Sequence, residues 1–280
     1  MKKFLIIGAS GYIGNRCFKE FNYDSEYEVF GTQFTSTKND LITLDYSKPK
    51  DFFNLLSQIE PDVILWCGGL KNLSITEKNY KLSLKQNFHS IKSVIKYQKL
   101  NKISNFIYLS SDYVFDGIKG NYNHSDLPNP TTNYGKSKLL AENYIIENSS
   151  NYSIIRAGAI IGKGSVFFDW IVKSLSENKN LELYDNLFTP TPILNLLEGI
   201  KVLAEHPKNK IFHISGLQKL SRFDFGLLIK EHFSKSESKL IKTDYKLNPM
   251  NLQYDLSLNI SEEFSDLNNI EHFLNKIFSA

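Results

Sequence analysis

Lys2-Lys-Phe-Leu-Ile-Ile-Gly8-Ala-Ser-Gly11-Tyr-Ile-Gly14 decides how this chain folds. An apolar run that meets glycines at positions 8, 11 and 14 is what a buried strand needs when it feeds a tight turn and then a helix. Gly8 permits the turn, Gly11 lets backbone approach a pyrophosphate, and Gly14 lets helix and strand pack closely. Ser10, Tyr12 and Ile13 complete the same turn. Phosphates held there would sit at a helix N-terminus, where amide N–H groups and the helix dipole favour anions. The apolar run is too short for a secretion signal, so the start reads as a first strand and the expected location is cytoplasmic.

Working outward, strand and helix patterns alternate. Strands are expected at 27–32, 41–45, 62–66, 105–110 and 152–156, and helices at 12–21, 51–59, 77–100 and 134–147. The early strands are continuously apolar, which implies a parallel sheet covered by helices on both faces. The fold class that follows is α/β, a Rossmann-type doubly wound parallel sheet with a smaller C-terminal substrate-binding region. The expected division is a nucleotide-binding domain over 1–160 and a smaller region over 161–280, packed against it as one wall of a cleft. Beyond 160 the pattern loosens, with helices near 166–177, 193–205 and 222–233 and strands near 181–184 and 211–215. Residues 116–133 are rich in Gly, Pro, Asn and Asp and read as a long loop.

In such sheets ligands bind beyond the carboxyl ends of the strands. At the end of the second strand an NAD site usually places a carboxylate for the ribose hydroxyls. Here the chain reads Gly31-Thr32-Gln33-Phe34-Thr35-Ser36-Thr37-Lys38, with no acid before Asp40. Hydroxyls and a lysine without that acid favour the 2′-phosphate of NADP(H) over NAD(H). Gln33, Phe34, Asp45 and Tyr46 are the expected cofactor neighbours here, with Asp45 placed to bond the adenine amino group. After the fourth strand, Cys67-Gly68-Gly69 supplies small residues where backbone can lie against a cofactor, and Cys67 reads as a small buried apolar residue.

Tyr134-Gly-Lys-Ser-Lys138 is the second informative stretch. Positions i and i+4 share a helix face, so the Lys138 ammonium is expected to lower the pKa of the Tyr134 phenol and to hold the nicotinamide ribose. Such a phenol beside a nicotinamide can protonate a carbonyl oxygen while the carbon is reduced. Ser111, ending the fifth strand, is placed to hydrogen-bond that oxygen. Catalytic roles are therefore expected of Ser111, Tyr134 and Lys138, with the last two also touching cofactor. Asn87, within the long helix, either bridges backbone groups or acts directly.

With 280 residues the chain can bury a sizeable core. A formal net charge of +3 with interleaved signs gives no reason to expect nucleic acid. The 2 cysteines make no disulfide framework, and the 6 histidines show no metal-ligand spacing, so no metal is expected. No stretch approaches the length that spans a membrane.

Three blocks carry a family resemblance: Gly8-Ala-Ser-Gly-Tyr-Ile-Gly14, Ser110-Ser-Asp-Tyr-Val-Phe-Asp-Gly117, and Asn129-Pro-Thr-Thr-Asn-Tyr-Gly-Lys-Ser-Lys138. They resemble the extended short-chain dehydrogenase/reductase family, and within it the dTDP-4-dehydrorhamnose reductase branch, which also contains the regulatory β subunit of methionine adenosyltransferase. The resemblance covers about residues 1–165. It implies an NADPH-dependent reductase of a nucleotide-activated keto-deoxy sugar in polysaccharide biosynthesis, with the proton supplied by Tyr134. The alternatives it carries are a non-catalytic NADP-binding regulatory subunit and a nucleotide-sugar epimerase. Related dehydratases have an Asp-Glu pair after the strand-end hydroxyl; Asp112 is followed here by Tyr113, which favours reduction over loss of water. The chain departs from the branch at Ser111, where threonine is usual, at the Cys-Gly-Gly-Leu-Lys segment, and at Leu187 and Phe188 before Thr189-Pro-Thr-Pro192. Exposed helices of this fold often pair, which leaves a homodimer open.

Overall fold

In chain order the computed structural model contains β1 (Lys2–Ile7), α1 (Tyr12–Asn22), β2 (Tyr27–Gln33), β3 (Ile42–Thr43), α2 (Pro49–Ile59) and β4 (Val63–Trp66). There follow α3 (Leu73–Lys78), α4 (Tyr80–Leu84), a π-helical turn (Lys85–His89), α5 (Ile91–Asn101), β5 (Asn105–Leu109), α6 (Asn133–Asn148) and β6 (Tyr152–Arg156). The remainder comprises β7 (Ile160–Ile161), α7 (Val166–Ser176), β8 (Leu181–Tyr184), β9 (Leu187–Phe188), β10 (Thr191–Pro192), α8 (Ile193–Glu205), β11 (Lys210–His213), β12 (Leu220–Ser221), α9 (Arg222–Lys230), β13 (Leu240–Thr243) and α10 (Ile270–Phe278). The structure describes all residues except 36–37, 102–104, 249–251, 268 and 280, and the side chain of residue 101.

Two compact units emerge, each assembled from separated stretches of chain. The first comprises Met1–Val114, Pro130–Arg156 and Leu197–Phe212; the second comprises Phe115–Asn129, Ala157–Leu196 and His213–Ala280. The first unit holds the 7-stranded sheet, in the order β11-β6-β5-β4-β1-β2-β3. Every pair from β3 through β6 is parallel. This is the Rossmann-type doubly wound arrangement, and its strand order reverses between β1 and β4. The loops leaving those two strands are the glycine turn and the segment from Cys67 to Leu70.

The helices pack by their apolar spacing. Gly14, Cys17, Phe18 and Phe21 are buried along α1, and Phe52, Leu55, Leu56 and Ile59 along α2, each at i, i+3, i+4 and i+7. Pro49 starts α2 where its missing N–H costs no intrahelical bond. The core beneath α2, α5 and α6 gathers Phe52, Leu56, Ile64, Trp66, Val94, Phe106, Tyr108 and Ile145. Trp66 is fully enclosed, with Tyr46 and Phe52 at 5.1 and 5.9 Å between ring centroids.

The long helix expected over 77–100 is broken. Asn72 caps α3 and Asn79 caps α4, each side chain accepting a backbone N–H three residues on. The π-helical turn then precedes α5. Asparagine competes well for helix starts: Asn72 opens a helix ahead of the expected run, and Asn79 divides the run itself. The second unit contains the short pairs β7/β10, β9/β12 and β8/β13. In it the loop after Phe115 is anchored locally: the Tyr122 hydroxyl donates to Asp116 at 2.5 Å and Asn129 Nδ2 to the same carboxylate at 3.1 Å. Among the described residues no helix is long and apolar enough to cross a membrane.

Candidate functional site

The glycine turn is tight for steric reasons. Gly8 has φ +86°, and a Cβ there would lie 2.9 Å from Gly68 backbone atoms. A Cβ on Gly14 would fall 2.3 Å from the Gly8 carbonyl oxygen, so only glycine lets α1 start this close to β1. At Gly11 a Cβ would meet nothing nearer than that same oxygen at 3.4 Å, so this side of the turn is open. The Gly8 N–H donates to Thr32 Oγ1 at 3.1 Å, tying the turn to β2. No side chain caps α1, so its start can receive an anion from outside.

A cavity of about 220 Å³ lies over this turn. Gly8, Ser10, Gly11, Tyr12, Ile13 and Gly14 form its floor. Thr32, Gln33 and Phe34 close the β2 side, with Tyr46 beside them. Cys67, Gly68, Gly69 and Lys71 close the β4 side. The lining has a lysine and no carboxylate, which suits a phosphate-bearing ligand. An open glycine cradle, an uncapped helix start and an acid-free wall together fit a dinucleotide pyrophosphate. Arg16, in the first turns of α1, adds a buried Nε without a hydrogen-bond partner.

Several expected neighbours have structural duties. Gln33 Nε2 donates to the Lys38 and Leu41 carbonyls at 2.8 and 3.1 Å, and its Oε1 accepts the Lys38 N–H at 2.9 Å. It therefore fastens the chain after β2 while lining the cavity. Phe34 is 52% exposed at the rim. Ser36 and Thr37, whose hydroxyls entered the NADP reading, lie outside the described residues. Asp45 is not part of the lining: Oδ1 accepts from Ser47 N at 3.0 Å and Ser47 Oγ at 2.6 Å, which holds the carboxyl below its usual range. Tyr46 instead faces the cavity, its phenol pushed up by burial against an opposing backbone hydrogen bond from Gly69. Cys67 is a half-buried free thiol; its closeness to the Cys17 thiol, together with burial, raises the Cys17 pKa well above the ordinary value.

At the end of β5 the structure brings Ser111 and Tyr134 together. Ser111 Oγ donates to Asp112 Oδ1 at 2.8 Å and accepts the Tyr113 N–H at 3.3 Å, and its side chain stands near enough to the Tyr134 phenol to act on that group's pKa. Burial, then the charge of Asp112, push the Tyr134 phenol upward, while the nearby Ser111 side chain opposes this. The expected acidification by Lys138 is not what the geometry shows. Lys138 Nζ donates to the Leu109 carbonyl at 2.6 Å and lies 4.2 Å from the Tyr108 ring centroid. Burial lowers its pKa to about 7, against the opposing charge of Glu142. The amine is spent on β5 rather than on the phenol.

Helix α6 is held in place from both ends of its first turns. Thr132 caps it through Gly135 N at 3.0 Å, and Glu77 Oε1 accepts the Asn133 N–H at 2.6 Å. A Cβ on Gly135 would lie 2.0 Å from the Tyr113 carbonyl oxygen, so glycine beside Tyr134 allows the helix to touch the 112–114 turn. Asn87 bridges backbone, one of the two roles open to it: Oδ1 accepts Leu70 N at 2.7 Å and Nδ2 donates to Leu70 O at 3.1 Å and Ser137 Oγ at 3.0 Å. It thereby joins the rim of the cavity to the helix of Tyr134, from the kind of π-helical turn often found at functional sites. Beneath, Glu142 accepts from Ser110 Oγ and pairs with Arg156, whose Nη2 lies 2.7 Å from Oε2 with both side chains enclosed. Thr32, Lys71, Gly135, Glu142 and Arg156 are site or supporting residues that motif reading passes over. Thr32, Lys71 and Gly135 lie inside stretches quoted from the sequence without a role being given to them, whereas Glu142 and Arg156 lie in none.

Fold and cavity define a Rossmann-type protein with a phosphate-compatible glycine turn. The chain belongs to the RmlD substrate binding domain family, which matches residues 1–254. Among curated relatives it is 26% identical over 253 residues to methionine adenosyltransferase 2 subunit beta of Bos taurus, covering 85% of this chain and 74% of that protein. Its structure resembles a hypothetical dTDP-4-dehydrorhamnose reductase from Sulfolobus tokodaii, with a TM-score of 0.86, 28% identity and 96% of each chain covered. The dTDP-4-dehydrorhamnose reductase of Bacillus anthracis, solved in complex with NADP, shares the fold with a TM-score of 0.87 at 21% identity and 99% coverage of each chain.

Proposed function

We propose that this protein is an NADPH-dependent reductase of a nucleotide-activated keto-deoxy sugar. The observation that carries the reading is the Ser111 side chain standing beside the Tyr134 phenol, within the same unit as an acid-free glycine cradle. Gly8, Gly11, Gly14 and the start of α1 would hold the dinucleotide, which supplies a hydride when bound. Tyr134 then gives its phenolic proton to the carbonyl oxygen. Because burial keeps that phenol protonated at neutral pH, the residue is charged for donation rather than abstraction. A carboxylate can only accept, so the Ser111 hydrogen points at Asp112; Ser111 exchanges that partner for the substrate oxygen on binding. Lys138 holds the strand-end carbonyl of Leu109 and brings a titrating charge close to neutrality. The preference for NADPH rests on Gln33 and Phe34 standing where an NAD site has an acid.

The test is NADPH oxidation with dTDP-, UDP- and GDP-linked 4-keto-6-deoxy sugars, for wild type and Tyr134→Phe. Turnover that falls at least ~100-fold in the variant, with NADPH affinity kept, is the expected result. Tight NADPH binding without turnover of any of these sugars would reject the reductase reading. The identity to methionine adenosyltransferase 2 subunit beta supports a second reading, a dinucleotide-binding regulatory subunit. In that case the protein would co-purify with a methionine adenosyltransferase and Tyr134→Phe would leave the complex unaffected.

A further inference from the structure

Lys138, Glu142 and Arg156 form an enclosed charge cluster behind the end of β5, at 4%, 0% and 2% exposure. A guanidinium stays charged at any pH a folded protein meets, so Arg156 is the fixed member. Its Nη2 lies 2.7 Å from Glu142 Oε2, and its Nε donates to both carboxylate oxygens at 3.1 and 3.2 Å. Glu142 also accepts the Ser110 hydroxyl. One turn earlier on α6, Lys138 Nζ holds the Leu109 carbonyl at 2.6 Å. The helix therefore grips two successive residues at the end of β5. The third in line is Ser111, whose hydroxyl the proposed reduction uses. From the other side, the Ser110 N–H donates to the Ile155 carbonyl on β6 at 2.7 Å, next to Arg156. Glu142 thus ties α6 and β6 to the strand end that carries Ser111.

The same carboxylate acts on the amine. Positions four apart on a helix share a face, and in an enclosed site charges act strongly on one another. Burial takes the Lys138 amine down to about 7, and the Glu142 charge is the first of the influences that oppose it. The Cys67 thiol after β4 and the Tyr108 ring on β5 also face the amine, and Tyr134 stands one turn back on α6. Asp112 acts on Tyr134. Arg156 bears on the amine through the carboxylate they share. A single buried anion therefore serves a fixed cation and a titrating one, and it holds the strand end between them.

We propose that Glu142 is a positioning residue for the reduction: it fixes the strand end behind Ser111 and shares its carboxylate between Arg156 and the Lys138 ammonium. This assignment rests on the reductase reading above for its effect on turnover, and not for its effect on the amine. A carboxylate that only neutralised Arg156 would govern stability and leave the titration of Lys138 where it is.

Glu142→Gln keeps the shape and an acceptor oxygen and loses the charge. Carbon-13 NMR of lysine-labelled protein reads the amine directly, with the Lys138 signal assigned by its loss in Lys138→Met. Without the anion the ammonium loses its support, so the Lys138 midpoint should fall by at least about one pH unit. In NADPH-dependent turnover of the keto sugars, kcat should fall about tenfold or more, with the KM for NADPH kept. The limb of the kcat profile near neutrality should move to lower pH together with the amine. Ser110→Ala breaks the tie to the strand and keeps every charge, so kcat should fall several-fold with the midpoint unmoved. If Glu142→Gln does not melt as a folded protein, Glu142→Leu with Arg156→Met, which leaves no charge of that pair alone, takes its place with the same expected fall. An unmoved Lys138 midpoint in a folded variant overturns the proposal, as does a loss of turnover carried by KM with kcat kept. Wild type that reduces none of the sugars, while the midpoint moves as expected, removes the reductase reading and leaves the hold of Glu142 on the amine standing.

Discussion

Replacing Lys138 with methionine tests how the site is built. The amine is enclosed, and burial brings its pKa from 10.5 to about 7. At roughly 1.4 kcal/mol per pH unit, holding it protonated costs the folded chain about 5 kcal/mol below pH 7. The sign follows from the depressed folded value. Between about pH 7 and 10.5 the unfolded chain binds a proton that the folded chain has released, so stability rises with pH across that window. From pH 6 to pH 9 wild type should gain about 2.5 kcal/mol relative to Lys138→Met, which has no such proton. Losing the bond to the Leu109 carbonyl is largely independent of pH and cancels in this difference. Urea unfolding followed by Trp66 fluorescence reports the right unit, because Trp66 is fully buried within its core. A Trp170→Phe background removes the only other tryptophan, which is 44% exposed. Parallel pH profiles, within about 0.5 kcal/mol, would refute the desolvated-amine reasoning.

Two further outcomes follow from the geometry. Arg156→Met leaves the Glu142 carboxylate enclosed without its partner, so chemical denaturation should show a loss of about 3–5 kcal/mol, while Glu142→Leu with Arg156→Met together should restore most of it. Asn87→Ala removes the clamp on Leu70 and the link to Ser137, so NADPH affinity measured by fluorescence should drop about tenfold, with little change in melting temperature.

The parts of the fold visible in sequence are those set by neighbours along the chain. The glycine turn, the apolar run of β4 and the i, i+3, i+4 spacing of α2 are local signals, and each element formed near its expected bounds. The break around Asn87 was hidden because an apolar 3.6-residue rhythm continues through it, while the backbone that Asn87 holds belongs to Leu70, 17 residues away. The state of Lys138 was equally hidden. Spacing on α6 puts the amine on the face of Tyr134, but the carbonyl it meets belongs to β5, and no helix rule contains that strand. Helix α10 is different: Asn269 caps it and Ile270, Phe273 and Leu274 mark its buried face, so its signal was local and present.

The scattered make-up of the two units bears on how the protein emerges from the ribosome. Asn105 Nδ2 donates to the carbonyl of Leu203 at 2.6 Å, and the backbone N–H of Tyr152 donates to Asn209 Oδ1 at 3.0 Å. Both acceptors are synthesised long after the strands they complete. The early strands must therefore wait, with one side of β6 unpaired, until nearly three quarters of the chain has been translated. Nascent chains stalled before that point should bind holdase chaperones, and release should coincide with the appearance of the strand that ends at His213.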